Sequence, residues 1–207
     1  MRKLIGLAVI VGLFVAGDAA LRSYAESTVA RRLERDLDPG GSVEVSLGGF
    51  PFVAGLLTES IPSASVVAHD VERKGLRVDR LTVDAEGLEI SLTEADRRTG
   101  AAEIDEGRGE AFIRLRVLAR FLERNGNITS VRIGKRGVTV RIPSSGRAVT
   151  APLRLEDGRI IIRAPTIEDI VVPLPGVFSG VRYSTIEVTG DLAQLSFRLK
   201  NVALRSL

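Results

Sequence analysis

The sequence predicts an α+β fold, a long N-terminal amphipathic helix wrapped by a curved, mainly antiparallel sheet, and three observations carry that expectation. Apolar residues recur every four positions between residues 18 and 37, the apolar period drops to two after residue 42, and the apolar material is aliphatic, 44% hydrophobic against 4% aromatic. Leu21, Ala25, Val29, Leu33 and Leu37 make the helical stripe, with Arg22, Glu26, Arg31, Arg32, Glu34 and Arg35 on the remaining surface. Asp38-Pro39-Gly40-Gly41 ends the helix, because proline cannot continue the hydrogen-bond ladder and glycine lets the chain turn. Val43, Val45 and Leu47 then alternate with polar residues, as do Leu81, Val83 and Ala85 and, after Glu86-Gly87, Leu88, Ile90 and Leu92. Val131 and Ile133 pair with Val138, Val140 and Ile142 in an expected hairpin around Gly134-Lys135-Arg136-Gly137. Further strands are expected over 149–155, 159–163, 185–189 and 195–204. Two short helices interrupt them. One covers 53–58 after the elbow Gly48-Gly49-Phe50-Pro51-Phe52; the other covers 117–125, with Leu118, Phe121 and Leu122 on one side and Gly126 as its stop. The strands carry more aliphatic surface than one helix covers, so the remainder must meet another sheet face, another molecule or an apolar ligand.

Residues 1–17 stand apart from this pattern. Arg2-Lys3 precede a run of fourteen uncharged, mostly apolar residues, 4–17. At 1.5 Å per residue that run covers roughly 21 Å, short of a ~30 Å hydrocarbon core, which suits the apolar region of an export signal. No Ala-x-Ala cleavage site follows, however, and the helical pattern continues unbroken through Ala19-Ala20-Leu21, which suits an uncleaved anchor. Under either reading Arg2 and Lys3 stay on the cytoplasmic side and residues 18–207 form one exported domain. The expected location is the cell membrane, with an extracytoplasmic body, or the periplasm if the leader is removed.

Composition narrows the chemistry. The formal charge of +3 owes two units to Arg2 and Lys3; without the leader, 27 basic side chains face 26 acidic ones, interspersed. A body so close to neutral, with no Trp and two Tyr, lacks the basic footprint and stacking platforms of a nucleic-acid binder. The absence of Cys excludes disulfides, thiolate nucleophiles and Cys-based metal sites, and a single histidine, His69, excludes a His-rich one. His69 lies in an apolar, strand-like run with no Gly-x-Ser-x-Gly elbow in the chain, so it reads as a polar residue on a strand's solvent face. Glu103, Asp105, Glu106 and Glu110 lack the spacing of a calcium loop and read as a solvated turn. Of the 29 basic residues 25 are arginine, which fits phosphate clamping but equally an Arg-rich codon preference, so no arginine is assigned to a site. No cofactor, metal or catalytic residue is expected, and the chain reads as a non-enzyme.

The stretch Val43-Glu44-Val45-Ser46-Leu47-Gly48-Gly49-Phe50-Pro51-Phe52-Val53-Ala54-Gly55-Leu56-Leu57 is the most distinctive of the chain. It resembles the signature of the LmeA-like phospholipid-binding family of actinobacterial envelope proteins, a strand entering a Gly-Phe-Pro-Phe elbow followed by a Leu-Leu pair. Val171-Val172-Pro173-Leu174-Pro175-Gly176, Val181-Arg182-Tyr183 and Val202-Ala203-Leu204 also look like the family's C-terminal pattern, although Val177-Phe178-Ser179 intervenes before Gly180 where the family runs more directly into its strand. The resemblance implies a relative of the half-modules of tubular lipid-binding proteins, with acyl chains in an aliphatic groove between helix and sheet. It also implies action in envelope lipid or lipoglycan biogenesis, including lipid transfer. Expected lipid-contacting residues are Phe50, Phe52, Val53, Leu56, Leu57, Leu118 and Phe121. For the elbow aromatics and the Leu56-Leu57 pair two roles stay open, plugging the end of the core or lining a groove mouth and touching the membrane. The expected partners are phospholipid acyl chains and the cytoplasmic membrane. The alternative is a membrane-tethered scaffold or accessory domain for an envelope glycosyltransferase.

Overall fold

The computed structural model describes residues 2–37, 40–90, 102–126, 128–134, 137–141, 146–165, 168–175 and 181–204, with side chains from residue 14 onward except those of 36, 37, 73, 102, 203 and 204. The leader's side chains up to residue 13, the Leu37 side chain, Asp38-Pro39, Leu92, Lys135-Arg136, Ile142 and residues 176–180 lie outside what is described. The chain begins with helix α1 (Arg2–Leu37), followed by β1 (Val43–Leu47), the short helix α2 (Phe52–Leu57), β2 (Ser60–Arg73), β3 (Leu76–Ile90), β4 (Ala102–Arg114) and helix α3 (Leu115–Asn125). Eight further strands complete it. They are β5 (Ser130–Gly134), β6 (Gly137–Arg141), β7 (Ala148–Ala151), β8 (Leu153–Glu156), β9 (Arg159–Ile162) and β10 (Ile170–Pro173), then β11 (Arg182–Thr189); β12 (Leu192–Leu204) comes last and is long.

One six-stranded sheet, ordered β1-β2-β3-β4-β12-β11, dominates, and two three-stranded sheets, β10-β9-β8 and β5-β6-β7, accompany it. All the pairings are antiparallel. The mixed class and the antiparallel pairing agree with the sequence; the large sheet is uncurled and does not close into a barrel, which corrects the expected curvature.

The large sheet keeps one apolar face although four of its six strands are 13–15 residues long. Backbone irregularities shift the inward parity where needed: Asp70 at φ 54° lies between inward Ala68 and Val71, and Asn201 at φ 49° between Leu199 and Val202. On that face Leu81, Val83, Ala111, Ile113, Leu195 and Phe197 are buried together with Leu118, Phe121 and Leu122 of α3 and with Val138, Val140, Ile160, Ile162 and Val172 of the small sheets. The helix α3 supplies its three residues at spacing i, i+3, i+4, the geometry that puts them on one side.

β4 corrects the reading of its acidic residues. Glu103, Asp105, Glu106 and Glu110 are exposed on a central strand, not in a turn. The glycines between them follow from packing, because a Cβ on Gly109 would lie 2.3 Å from the Phe197 ring and 2.7 Å from the Thr82 carbonyl oxygen.

Helix α1 presents its apolar stripe to the sheet only in part. Ala25 and Leu33 pack inward, but Leu21 and Val29 are exposed, and Asp18 is buried instead. The side that faces the body runs Asp18, Arg22, Glu26 and Glu34, spaced in multiples of four. The reason lies in β1, the edge strand: its unpaired N–H groups need acceptors, and helix carboxylates provide them.

Candidate functional site

The elbow is built against α1 by a ladder of side chain to backbone hydrogen bonds. Glu34 accepts from the Val43 N–H at 3.5 Å and Glu26 from the Leu47 N–H at 2.8 Å; Arg22 donates to the Gly49 carbonyl, and Asp18 accepts from the Val53 N–H at 2.9 Å. Descending α1 therefore matches ascending β1, elbow and α2. The match is metric: eight helical residues from 34 to 26 rise about 12 Å, and four strand residues from 43 to 47 span about 13 Å.

Each elbow residue has a local cause. Gly49 adopts φ 99°, a left-handed conformation that a side chain disfavours, and a Cβ there would press on the Pro62 ring at 3.0 Å. The Phe50-Pro51 peptide is cis. Pro51 is the N-cap of α2 and offers no side-chain acceptor, so Asp18 satisfies that helix start from outside. Hydrogen bonds from the Phe52 and Val53 N–H groups hold the Asp18 carboxyl below the ordinary carboxylate range, against the opposing effect of burial and with help from the Arg22 charge. The Arg22 guanidinium also stands 5.8 Å from the centroid of the Phe52 ring.

The expected lipid-contacting residues separate into three groups. Phe52, only 1% exposed, joins Leu47 and Ile61 in a small buried cluster with Leu56, Ala25, Val45, Ala64, Leu88 and Ile90 packed around it. Phe50 and Leu57 point outward, 68% and 82% exposed, while Val53 is half-buried at the Asp18 contact. Leu118 and Phe121 belong to the other, larger cluster and are fully packed there, so the structure does not bring them to the elbow. For Phe52 the core-plugging role is the one observed; for Phe50 and Leu57 the outward one is.

Between the two clusters the apolar face is incompletely covered. Val45, Ala64, Val66, Leu88 and Ile90 are all half-buried, and Val45 and Leu88 touch both clusters. No separate sequence signal marks this seam, since the same alternation marks fully covered strand residues. A surface depression of 530 Å³ lies at the opposite end of the β2–β3 pair; it is lined by Gly40, Asp70, Glu72, Lys74, Gly75 and Arg77, a polar set unsuited to acyl chains. His69 sits opposite Arg80 in the β2–β3 register, and no group of three metal-ligating side chains occurs among the described residues. Nor is any helix among the described residues long and apolar enough to cross a membrane.

No curated protein and no solved structure matches the chain. A family model does: LmeA-like phospholipid-binding matches residues 16–206, from the first turns beside Asp18 through the elbow and the seam to the end of β12. Since that match takes in the elbow, the helix that holds it and nearly the whole chain, the chain belongs to the LmeA-like phospholipid-binding family.

Proposed function

We propose that this protein binds phospholipid outside the cytoplasmic membrane, with acyl chains laid along the seam formed by Val45, Ala64, Val66, Leu88 and Ile90 and bounded by Leu56 of α2. The half-buried state of these five aliphatic residues, of which Val45 and Leu88 pack against both clusters, is the observation that carries this reading. Each methylene removed from water there contributes about 0.8 kcal/mol, so a few carbons of each chain give useful affinity without any catalytic group. The groove implied by the family resemblance then takes the form of an open seam between two clusters. The apolar run at 4–17 holds the domain at the membrane with Arg2 and Lys3 inside, and lipid transfer within the envelope is the role that such placement suits.

Native mass spectrometry of the full chain extracted from membranes tests this directly. Bound phospholipid is expected, and Val66→Asp or Leu88→Asp is expected to remove it while thermal unfolding stays cooperative. A protein that is always empty, or lipid that persists in both variants, overturns the reading. An accessory role toward an envelope glycosyltransferase would show as partner capture that survives in those same lipid-free variants.

A further inference from the structure

We infer that the elbow and α2 form a membrane-contacting tip, with Phe50 and Leu57 entering the interfacial layer of the bilayer that receives the apolar N-terminal run. This rests on the anchoring part of the proposed function and adds to it the orientation of the body and the residues that set it. The hydrogen-bond ladder fixes the first point. Glu34, Glu26, Arg22 and Asp18 meet residues 43, 47, 49 and 53 in turn, so the elbow and α2 are the parts of the body nearest the start of α1.

The surface chemistry of that end is the second point. Residues 48–58 carry no charge in a chain that is 27% charged, and the large side chains among their outward ones are a Phe and a Leu. Phe14 and Val15 are also exposed, and they precede Asp18 by four and three residues. That spacing places them on the same side of α1, about 5–6 Å further along its axis. The apolar patch is therefore continuous in direction from the elbow into the N-terminal run, and a bilayer is the occupant that both can share. Interfacial apolar side chains reach about 5–10 Å into the headgroup and acyl boundary, which matches this offset. Asp18 falls between the two apolar groups, and it is buried against α2 and hydrogen-bonded to the Val53 N–H, so it brings no free charge to the surface.

The chain contains no Trp, which permits a clean test with single-Trp variants of the full protein. Phe14→Trp, Phe50→Trp, Leu57→Trp and Val171→Trp would be reconstituted into vesicles of equal parts phosphatidylcholine and phosphatidylglycerol with brominated acyl chains. Val171 is exposed on β10, whose Val172 lies by Gly126 at the α3 terminus that Arg124 ties to the β2–β3 turn, the end remote from the elbow. Emission at positions 14, 50 and 57 is expected to be mostly quenched and that at 171 nearly unchanged. Quenching at 14 with positions 50 and 57 as bright as 171 overturns the tip while leaving the anchor; equal quenching at 171 also overturns it. No quenching at 14 removes the anchor and the tip together. Phospholipid retained in mass spectrometry is independent of all three results.

Discussion

The elbow end and the α3 end of this molecule bury apolar side chains by different means. At the elbow only Leu47, Phe52 and Ile61 are fully buried, and four polar side chains of α1 fix the backbone around them. At the α3 end a much larger set of aliphatic residues from three sheets closes over Leu118, Phe121 and Leu122. A shared device appears at both: Glu123 of α3 accepts from the Val131 N–H of the edge strand β5 at 2.8 Å, as Glu26 does for β1. The difference is what stands behind the device. Behind Glu123 lies a full core, whereas behind Glu26 lies a three-residue cluster and then a seam. Few buried contacts and exposed hydrogen bonds mark a segment that opens locally below the global unfolding free energy. The elbow is thus the end expected to open without unfolding the domain.

Truncating one buried residue at each end gives the largest effects and tests that difference most directly. Leu118→Ala is expected to cost about 2–5 kcal/mol and Phe52→Ala about 3–5 kcal/mol at their own sites. Only the first should lower the global urea midpoint by its full amount. Phe52→Ala should instead accelerate amide exchange in α2, β1 and the facing turns of α1 while β6, β9 and β12 keep their protection. Loss of protection throughout the sheets in Phe52→Ala would show one continuous core and remove the distinction.

Gly109→Ala comes next. The added Cβ meets the Phe197 ring and the Thr82 carbonyl oxygen, and since backbone cannot yield cheaply the expected cost is about 1–3 kcal/mol. For a chain of this length that is a fall in Tm of roughly 2–12 °C by calorimetry, since each kcal/mol shifts Tm by about 2–4 °C. Because Gly109 lies in the core of the large cluster, exchange at the elbow should be unchanged.

These positions also show what a sequence can and cannot reveal here. Strands with clean alternation, such as Val43–Leu47 and the pair Ser130–Gly134 and Gly137–Arg141, fall where alternation puts them, and both short helices lie within two residues of expectation. β4 was illegible because its inward positions include Gly107 and Gly109, whose absent side chains are space taken by Leu199 and Phe197 on the neighbouring strand. A pattern read along one strand cannot register a vacancy filled by another. The same holds for α1: counting apolar residues selects the Leu21 and Val29 side, but edge-strand donors draw Glu26 and Glu34 inward, the Val53 N–H of α2 draws Asp18, and the Gly49 carbonyl draws Arg22. At the candidate site, Phe52 and Phe50 were both visible as elbow aromatics, yet one is buried and the other is the most exposed Phe among the described residues. Only the turn geometry assigns them.

Asp18→Asn is the mildest change and the most specific probe of the elbow. Asparagine keeps the shape and one acceptor oxygen but loses the charge that the Phe52 and Val53 N–H groups and Arg22 favour. Because the folded carboxyl titrates below the unfolded one, its contribution is complete above the ordinary carboxylate range and is lost as pH falls through the depressed folded value. In the unmodified protein, acidification through that window should therefore loosen α2 and the elbow. In Asp18→Asn the α2 amides should exchange faster at neutral pH, with Tm lowered by only a few degrees, and this acid-induced step should flatten. Amide exchange of Val53 and its neighbours in α2, followed from neutral pH down through the carboxylate range, separates the two. An acid step of unchanged size in the variant would mean that another carboxylate holds the elbow. The lock between α1 and α2 would then lie higher on the ladder, at the β1 edge rather than at the tip.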